Sequence, residues 1–450
     1  MSEFRIISRH AGTVLVGQLA VMAFGVTDTI VAGRYSETAL AALSVGTAIF
    51  VSVFVALMGV LQALLPVWAE LQGARRFAEV GRSWRQALYL CAITVVLGMT
   101  LLLWPGPLLR WAEVPEALQS EVTSYLKVLA VALMPALVFR MYSTLNQSLG
   151  RPLLVTWLQI GSLAVKVPLS IWFAFGGLGL SPQGAVGCAW ATLVVNYLML
   201  GVALWLLRTS DLYQPYRIWT RLEKPDWQRI REFARLGIPG GLAIMVEVTS
   251  FTLMALFIAR QGVIAAASHQ IASNVTAVLY MVPLSMGIAT SSRVSFWLGA
   301  GNARMARTAI RTGFRMVLLA SCILAGLTLV LRWAIASVYA ANPAVVTLAS
   351  GILAWVAFYH LADATQALCV FVLRCYRVTI APLVVYCVLL WGLGLAGGYV
   401  LSYQGFGSFA PQPTPATFWA SSAVALALTA LIFVVLLWRA VQQGRPVPRA

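Results

Sequence analysis

This 450-residue sequence predicts an all-α integral membrane protein with twelve transmembrane helices in two six-helix lobes related by a pseudo-twofold axis along the membrane normal. Three observations predict that class. Hydrophobic residues make up 60% of the chain and charged residues 10%, against about 25% charged in a soluble domain. Apolar segments long enough to cross the hydrocarbon core follow one another along the chain. The second half also repeats features of the first at a nearly constant spacing.

The segments fall at about 10–33, 39–65, 84–105, 124–149, 153–175 and 184–207 in the first half. They continue at about 234–260, 264–298, 312–336, 345–373, 380–403 and 416–439 in the second. The first follows MSEFRIISRH and is too long for a signal-peptide core, so it reads as a retained helix. The longer ones must tilt, kink or protrude. The one sizeable hydrophilic connector lies after the sixth segment. The expected organisation is therefore a lobe over 1–207, a cytoplasmic linker over 208–233 and a lobe over 234–450.

Lys and Arg sort by side. Of 31, 24 fall in the N-terminus, the even-numbered connections and the tail, five on the opposite side, and Arg140 and Lys166 lie within segments. This bias predicts cytoplasmic termini. The net charge of +17 is thus orientation, not a nucleic-acid surface. The six cysteines all lie in apolar segments without metal-ligand spacing and read as small buried residues.

Gly59, Trp68, Gly73 and Arg76 align with Gly287, Phe296, Gly301 and Arg304 at an offset of 228, and Arg34 aligns with Arg260 at 226. Each matching stretch follows the second helix of its half. A binding site is expected between or within such halves near mid-depth.

Fourteen acids are present, and eleven lie in loops or at helix ends. Asp28, Glu247 and Asp363 remain inside segments, where a carboxylate costs roughly 2.5 kcal/mol or more and marks a functional site. At about 1.5 Å per residue, Glu247 lies roughly 20 Å and Asp363 roughly 15 Å from the cytoplasmic side, at similar depth in one half. Two carboxylates there either share a proton or hold a desolvated cation such as Na⁺. Asp28 lies roughly 27 Å in and Lys166 roughly 21 Å. They either pair, as buried charges normally do, or leave Asp28 free to bind a cation.

Trp355, Tyr359 and Asp363 share one helical face, with His360 three residues from Asp363. Phe251 and Met254 follow Glu247 at i+4 and i+7. Aromatic and Met side chains beside carboxylates suit lipophilic cations, and they equally suit helix packing. His269 reads as a hydrogen-bonded packing residue or as a substrate or proton contact. Arg140 either lines a hydrated cavity or pairs structurally. Pro239, eight residues before Glu247, is a bending point.

The stretches MAFGVTDTIVAGRYSETALAALSVG, GVLQALLPVWAELQGARR, EVTSFTLMALFIARQGVIAAASHQIASN and YHLADATQALCVFVLRCYR resemble the MATE (multidrug and toxic compound extrusion) transporters of the NorM type. The resemblance implies a MATE/MOP-like fold with a V-shaped central cavity. It also implies export of cationic drugs and dyes against inward Na⁺ or H⁺. Glu247 and Asp363 then match the second-lobe acids and Asp28 the first-lobe acid. Two positions depart from the pattern. Lys166 stands where the family often has Asn, and Thr13 stands where an early Pro is common.

The expected protein is therefore a monomeric multidrug antiporter in the cell inner membrane, with no cofactor. Its coupling acids are Glu247, Asp363 and Asp28. A lipid-linked precursor flippase is the alternative, which a basic cavity would favour. An enzyme built on His360 and Asp363 lacks a nucleophile or metal set to join them.

Overall fold

The computed structural model describes residues 2–111, 115–177, 179–405, 407 and 410–444. Glu113, counted among the loop acids, and the tail residues Arg445 and Arg449 lie outside them. Twelve helices among the described residues are long and apolar enough to cross a membrane. In order they are α1 (Glu3–Tyr35), α2 (Glu37–Gly73), α3 (Phe77–Leu103), α4 (Glu116–Ser148), α5 (Pro152–Phe175) and α6 (Gly184–Thr209). Then come α7 (Trp227–Ala259), α8 (Val263–Gly299), α9 (Ala303–Tyr339), α10 (Pro343–Cys375), α11 (Ile380–Gln404) and α12 (Pro415–Gln443). No strand forms among the described residues. One isolated bridge joins Gly177 and Leu180. Hydrocarbon offers no partners to backbone N–H and C=O groups, so helices that satisfy them internally are the outcome.

Helix ends follow local chemistry. Ser36 accepts a hydrogen bond from the Ala39 N–H at 3.0 Å, and Asn342 accepts from the Ala344 N–H at 2.9 Å, with Pro343 in the first helical position. Several helices start well before the apolar run that announced them. For α9 the apolar run begins near 312, whereas the helix begins at Ala303. Its first turns carry Arg304, Arg307 and Arg311, and a helix does not have to stop where an apolar run does. In α11, π-type turns run over Cys387–Ala396 and Val400–Gln404, a departure that often accompanies function.

The chain folds into two compact units. One is Thr13–Gly241 and the other joins Met1–Gly12 to Leu242–Ala450. The sequence-based division follows the hydrophilic connector, whereas these units part inside α1 and inside α7. The first has a core around Trp68, Tyr142, Leu61 and Leu133. In it Trp68 donates its indole N–H to Ser83 Oγ at 3.0 Å. The second has a core around Trp419, Phe418, Phe433 and Leu368.

Within Thr13–Gly241, the start of α7 lies against α2 because of its glycines. A Cβ on Gly237 would sit 2.6 Å from the Val60 carbonyl oxygen, and one on Gly241 2.4 Å from that of Ala56. Pro239 lies between them, inside a helix that continues past it.

The connector is no free tether. Arg85 on α3 holds Glu223 through Nε at 2.9 Å and donates to the Arg217 carbonyl at 2.6 Å. Gln86 donates to the Lys224 carbonyl and accepts from the Asp226 N–H. In the second unit, the first turns of α1 are fastened to α8. Glu3 accepts from Arg293 at 2.6 and 3.0 Å and from Trp297 Nε1 at 3.1 Å. Ile7 and Ala11 pack with Ala289 and Met316.

Candidate functional site

The two acids of the second unit meet through an amide. Asp363 on α10 is buried and Glu247 on α7 is half-buried. Gln366, one turn beyond Asp363, donates through Nε2 to Asp363 Oδ1 at 3.0 Å and approaches Glu247 Oε1 at 3.5 Å. One nitrogen touches both carboxylates, so their oxygens are no farther apart than the two legs of that bridge. Tyr386 on α11 donates its hydroxyl to Gln366 Oε1 and so fixes which way the amide points. Tyr386 directly precedes the π-type turns, and Trp391 within them donates to the Val246 carbonyl at 3.1 Å, beside Glu247. The geometry gathers two carboxylates and the amide between them into one cluster screened from solvent. There, attraction is far stronger than in water.

An aromatic group stands beside them. Phe251, Tyr359 and Trp419 form a triangle with ring centroids 5.7–6.0 Å apart, all edge-to-face. Trp419 also donates to His269 Nδ1 at 3.2 Å, and His269 Nε2 meets Ser273 Oγ at 3.2 Å. Both nitrogens of that imidazole are therefore engaged in packing contacts. Met254 is buried and accepts from Ser422 Oγ at 3.6 Å. His360 is buried with both ring nitrogens unbonded, so it makes no hydrogen bond to Asp363. Trp355 lies apart from the acids. It is 38% exposed and lines an open groove of about 690 Å³ with Pro343, Thr347 and Ala416.

In the other unit, Asp28 and Lys166 are an ion pair. Lys166 is fully buried, and its Nζ contacts Asp28 Oδ1 at 2.7 Å, Asp28 Oδ2 at 2.9 Å, the Cys188 carbonyl at 3.0 Å and Thr192 Oγ1 at 2.7 Å. Ser170 adds a hydrogen bond to Asp28 Oδ1 at 3.0 Å. Arg140 on α4 is also buried, with its Nε unbonded.

Four participants were not singled out from the sequence. Gln366 and Tyr386 are uncharged, so no charge count exposes them. Gln366's position one turn after Asp363 was the available signal. Arg374 was counted as a loop arginine. It is buried at the end of α10, lies 5.2 Å over the Phe371 ring, and is within electrostatic reach of Glu247. Tyr280 on α8 shares the electrostatic environment of both acids. Among the described residues no cluster of three or more His, Cys, Asp or Glu gathers as a metal site.

A family model described as MatE matches residues 14–172 and 239–400. The chain is 35% identical over 435 residues to a probable multidrug resistance protein NorM of Aromatoleum aromaticum, covering 96% of this chain and 94% of the relative. It is 32% identical over 436 residues to the multidrug resistance protein MdtK of Yersinia pseudotuberculosis serotype O:1b, with the same coverage. Its fold is similar to the crystal structure of the eukaryotic MATE transporter AtDTX14, at a TM-score of 0.87 and 19% identity over 98% of both chains. It is also similar to the Vibrio cholerae MATE transporter VcmN in the bent form, at a TM-score of 0.85, 18% identity and 98% of both chains.

Proposed function

The chain belongs to the MatE family, whose members are membrane transporters and not enzymes, and on that premise we propose that it exports cationic, lipophilic drugs and dyes by antiport against inward Na⁺ or H⁺. The multidrug-resistance names of its relatives support that substrate class. The observation that carries the mechanism is the Gln366 bridge between Glu247 and Asp363.

A cationic drug and a coupling ion neutralise the same two carboxylates, so binding of one disfavours the other. That negative coupling is what antiport needs. Phe251, the half-buried member of the Phe251–Tyr359–Trp419 group, offers its ring face to a lipophilic cation. Asp28 takes part through Lys166. A cation that neutralised Asp28 would have to displace an ammonium with four oxygen contacts, so Lys166 is the resident competitor at that acid. Alternating access follows from one lobe rocking against the other. A potential of 100 mV supplies about 2.3 kcal/mol per charge moved, which supports a gradient of roughly fiftyfold for one net charge. The protein works as a monomer in the cell inner membrane, and the Lys and Arg bias supports cytoplasmic placement of both termini.

Ethidium uptake into inverted vesicles, whose lumen corresponds to the cell exterior, tests this reading under an imposed Na⁺ gradient and, separately, under a pH gradient. Dye movement under either gradient alone, saturable in dye, is expected. No movement under either would remove the drug-antiport reading and bring the lipid-linked precursor flippase forward.

A further inference from the structure

We propose that the groove between the first turns of α9 and the last turns of α12 is a binding site for one anionic phospholipid of the surrounding bilayer. The groove has a volume of about 620 Å³, and both helices belong to the Leu242–Ala450 unit. Arg307 and Arg311 stand on one wall with Phe314. Leu437, Trp438 and Gln442 form the other.

The two ends of the site differ in chemistry. Arg307 and Arg311 are exposed and one turn apart, so they repel each other as like charges at i and i+4. Arg304 and Arg315 extend the same helical face. Neither α9 nor α12 contains an Asp or Glu, and among the described residues neither guanidinium forms an ion pair. Among the described residues this pair of forks has no counter-charge, and it matches a phosphodiester, which guanidinium groups bind through paired N–H donors. Deeper in the groove, Phe314, Val434 and Leu437 present only apolar atoms, suited to an acyl chain. Trp438, 61% exposed, has the amphipathic ring that settles at headgroup level. Basic pockets between membrane helices are a recurrent site for acidic headgroups. A zwitterionic lipid meets the same walls but brings its own cation toward the arginines, so the site selects by charge.

Native mass spectrometry of the intact, detergent-purified chain tests the site by titration with dioleoyl phosphatidylglycerol or dioleoyl phosphatidylcholine. The wild type is expected to retain one phosphatidylglycerol at least tenfold more tightly than phosphatidylcholine. Arg307→Gln/Arg311→Gln should lose that preference, while Arg75→Gln/Arg76→Gln, which removes as much positive charge elsewhere, should keep it. Trp438→Ala, with both arginines intact, should weaken retention of phosphatidylglycerol and serves as the second variant should the double substitution fail to fold. Equal retention of the two lipids by the wild type would overturn the proposal. So would wild-type retention in both Arg307→Gln/Arg311→Gln and Trp438→Ala.

Discussion

Lys166 shows what one buried cation commits a lobe to. Its ammonium is fully enclosed and surrounded by oxygens, so removing it leaves Asp28 as an uncompensated buried charge, a loss of about 3–5 kcal/mol. Lys166→Met is therefore expected to lower thermal stability in detergent by an amount of that order. The Asp28→Asn/Lys166→Met double substitution should recover most of it, and a double-mutant cycle on the melting transitions measures the difference. Gln366 holds the opposite kind of position, because its amide serves acids rather than balancing them. Hydrogen bonds to charged groups contribute about 1.5–3 kcal/mol. Gln366→Leu should accordingly change coupling-ion affinity by roughly tenfold or more while the chain still folds, read by ion titration of dye binding. Tyr386→Phe, which frees the amide to turn, should give a smaller shift in the same direction. The acids themselves were legible in the sequence because a carboxylate in an apolar run is conspicuous. Gln366 and Tyr386 were not, because a neutral polar residue on a helix becomes significant only once its neighbours are known. The Asp28–Lys166 alternative could be framed from depth but not decided, since depth along a helix says nothing about which way the side chain turns.

At the scale of elements, the close approach of α7 to α2 depends on two missing side chains. Gly241→Val would press a Cβ to about the 2.4 Å separation from the Ala56 carbonyl. Overpacking of that kind costs about 1–3 kcal/mol or more, so the variant should melt lower than wild type and transport poorly, whereas Gly12→Ala, with open space around it, should do neither. The connector gives a pH signature. The hydrogen bond from Arg85 holds the Glu223 carboxyl below its ordinary 4.5. A carboxylate with a depressed folded pKa stabilises above its unfolded pKa and loses that contribution as pH falls through the folded value. Limited proteolysis of the connector, with an acid-tolerant protease, should therefore stay slow down through the ordinary glutamate range and accelerate only at lower pH. Arg85→Gln should be cut readily at every pH. Hydropathy located all twelve helices but not their full lengths, because arginine-bearing turns of α3, α7 and α9 continue past the apolar run. It also left Arg374 in a loop when it lies on buried α10, where its stem and the Phe371 ring shelter the charge.

For the whole molecule, the internal repeat is visible in both sequence and structure. α8 begins at Val263 where α2 begins at Glu37, and α9 at Ala303 where α3 begins at Phe77, an offset of 226 in each case. The places where the chain passes from one compact unit to the other, after Gly12 in α1 and after Gly241 in α7, were invisible to composition, since both lie within helices. Pro239 and its repeat equivalent Thr13 fall within a few residues of those points. In the proposed antiport a drug and a coupling ion compete for Glu247 and Asp363. Its most direct test is equilibrium ethidium binding to the purified protein as Na⁺ and pH are varied separately, in wild type and in Glu247→Gln/Asp363→Asn. Wild-type dye affinity should fall as the coupling ion, Na⁺ or H⁺, is raised, and the double variant should lose this dependence. Wild-type affinity independent of both ions, or competition that persists undiminished in the double variant, would contradict it.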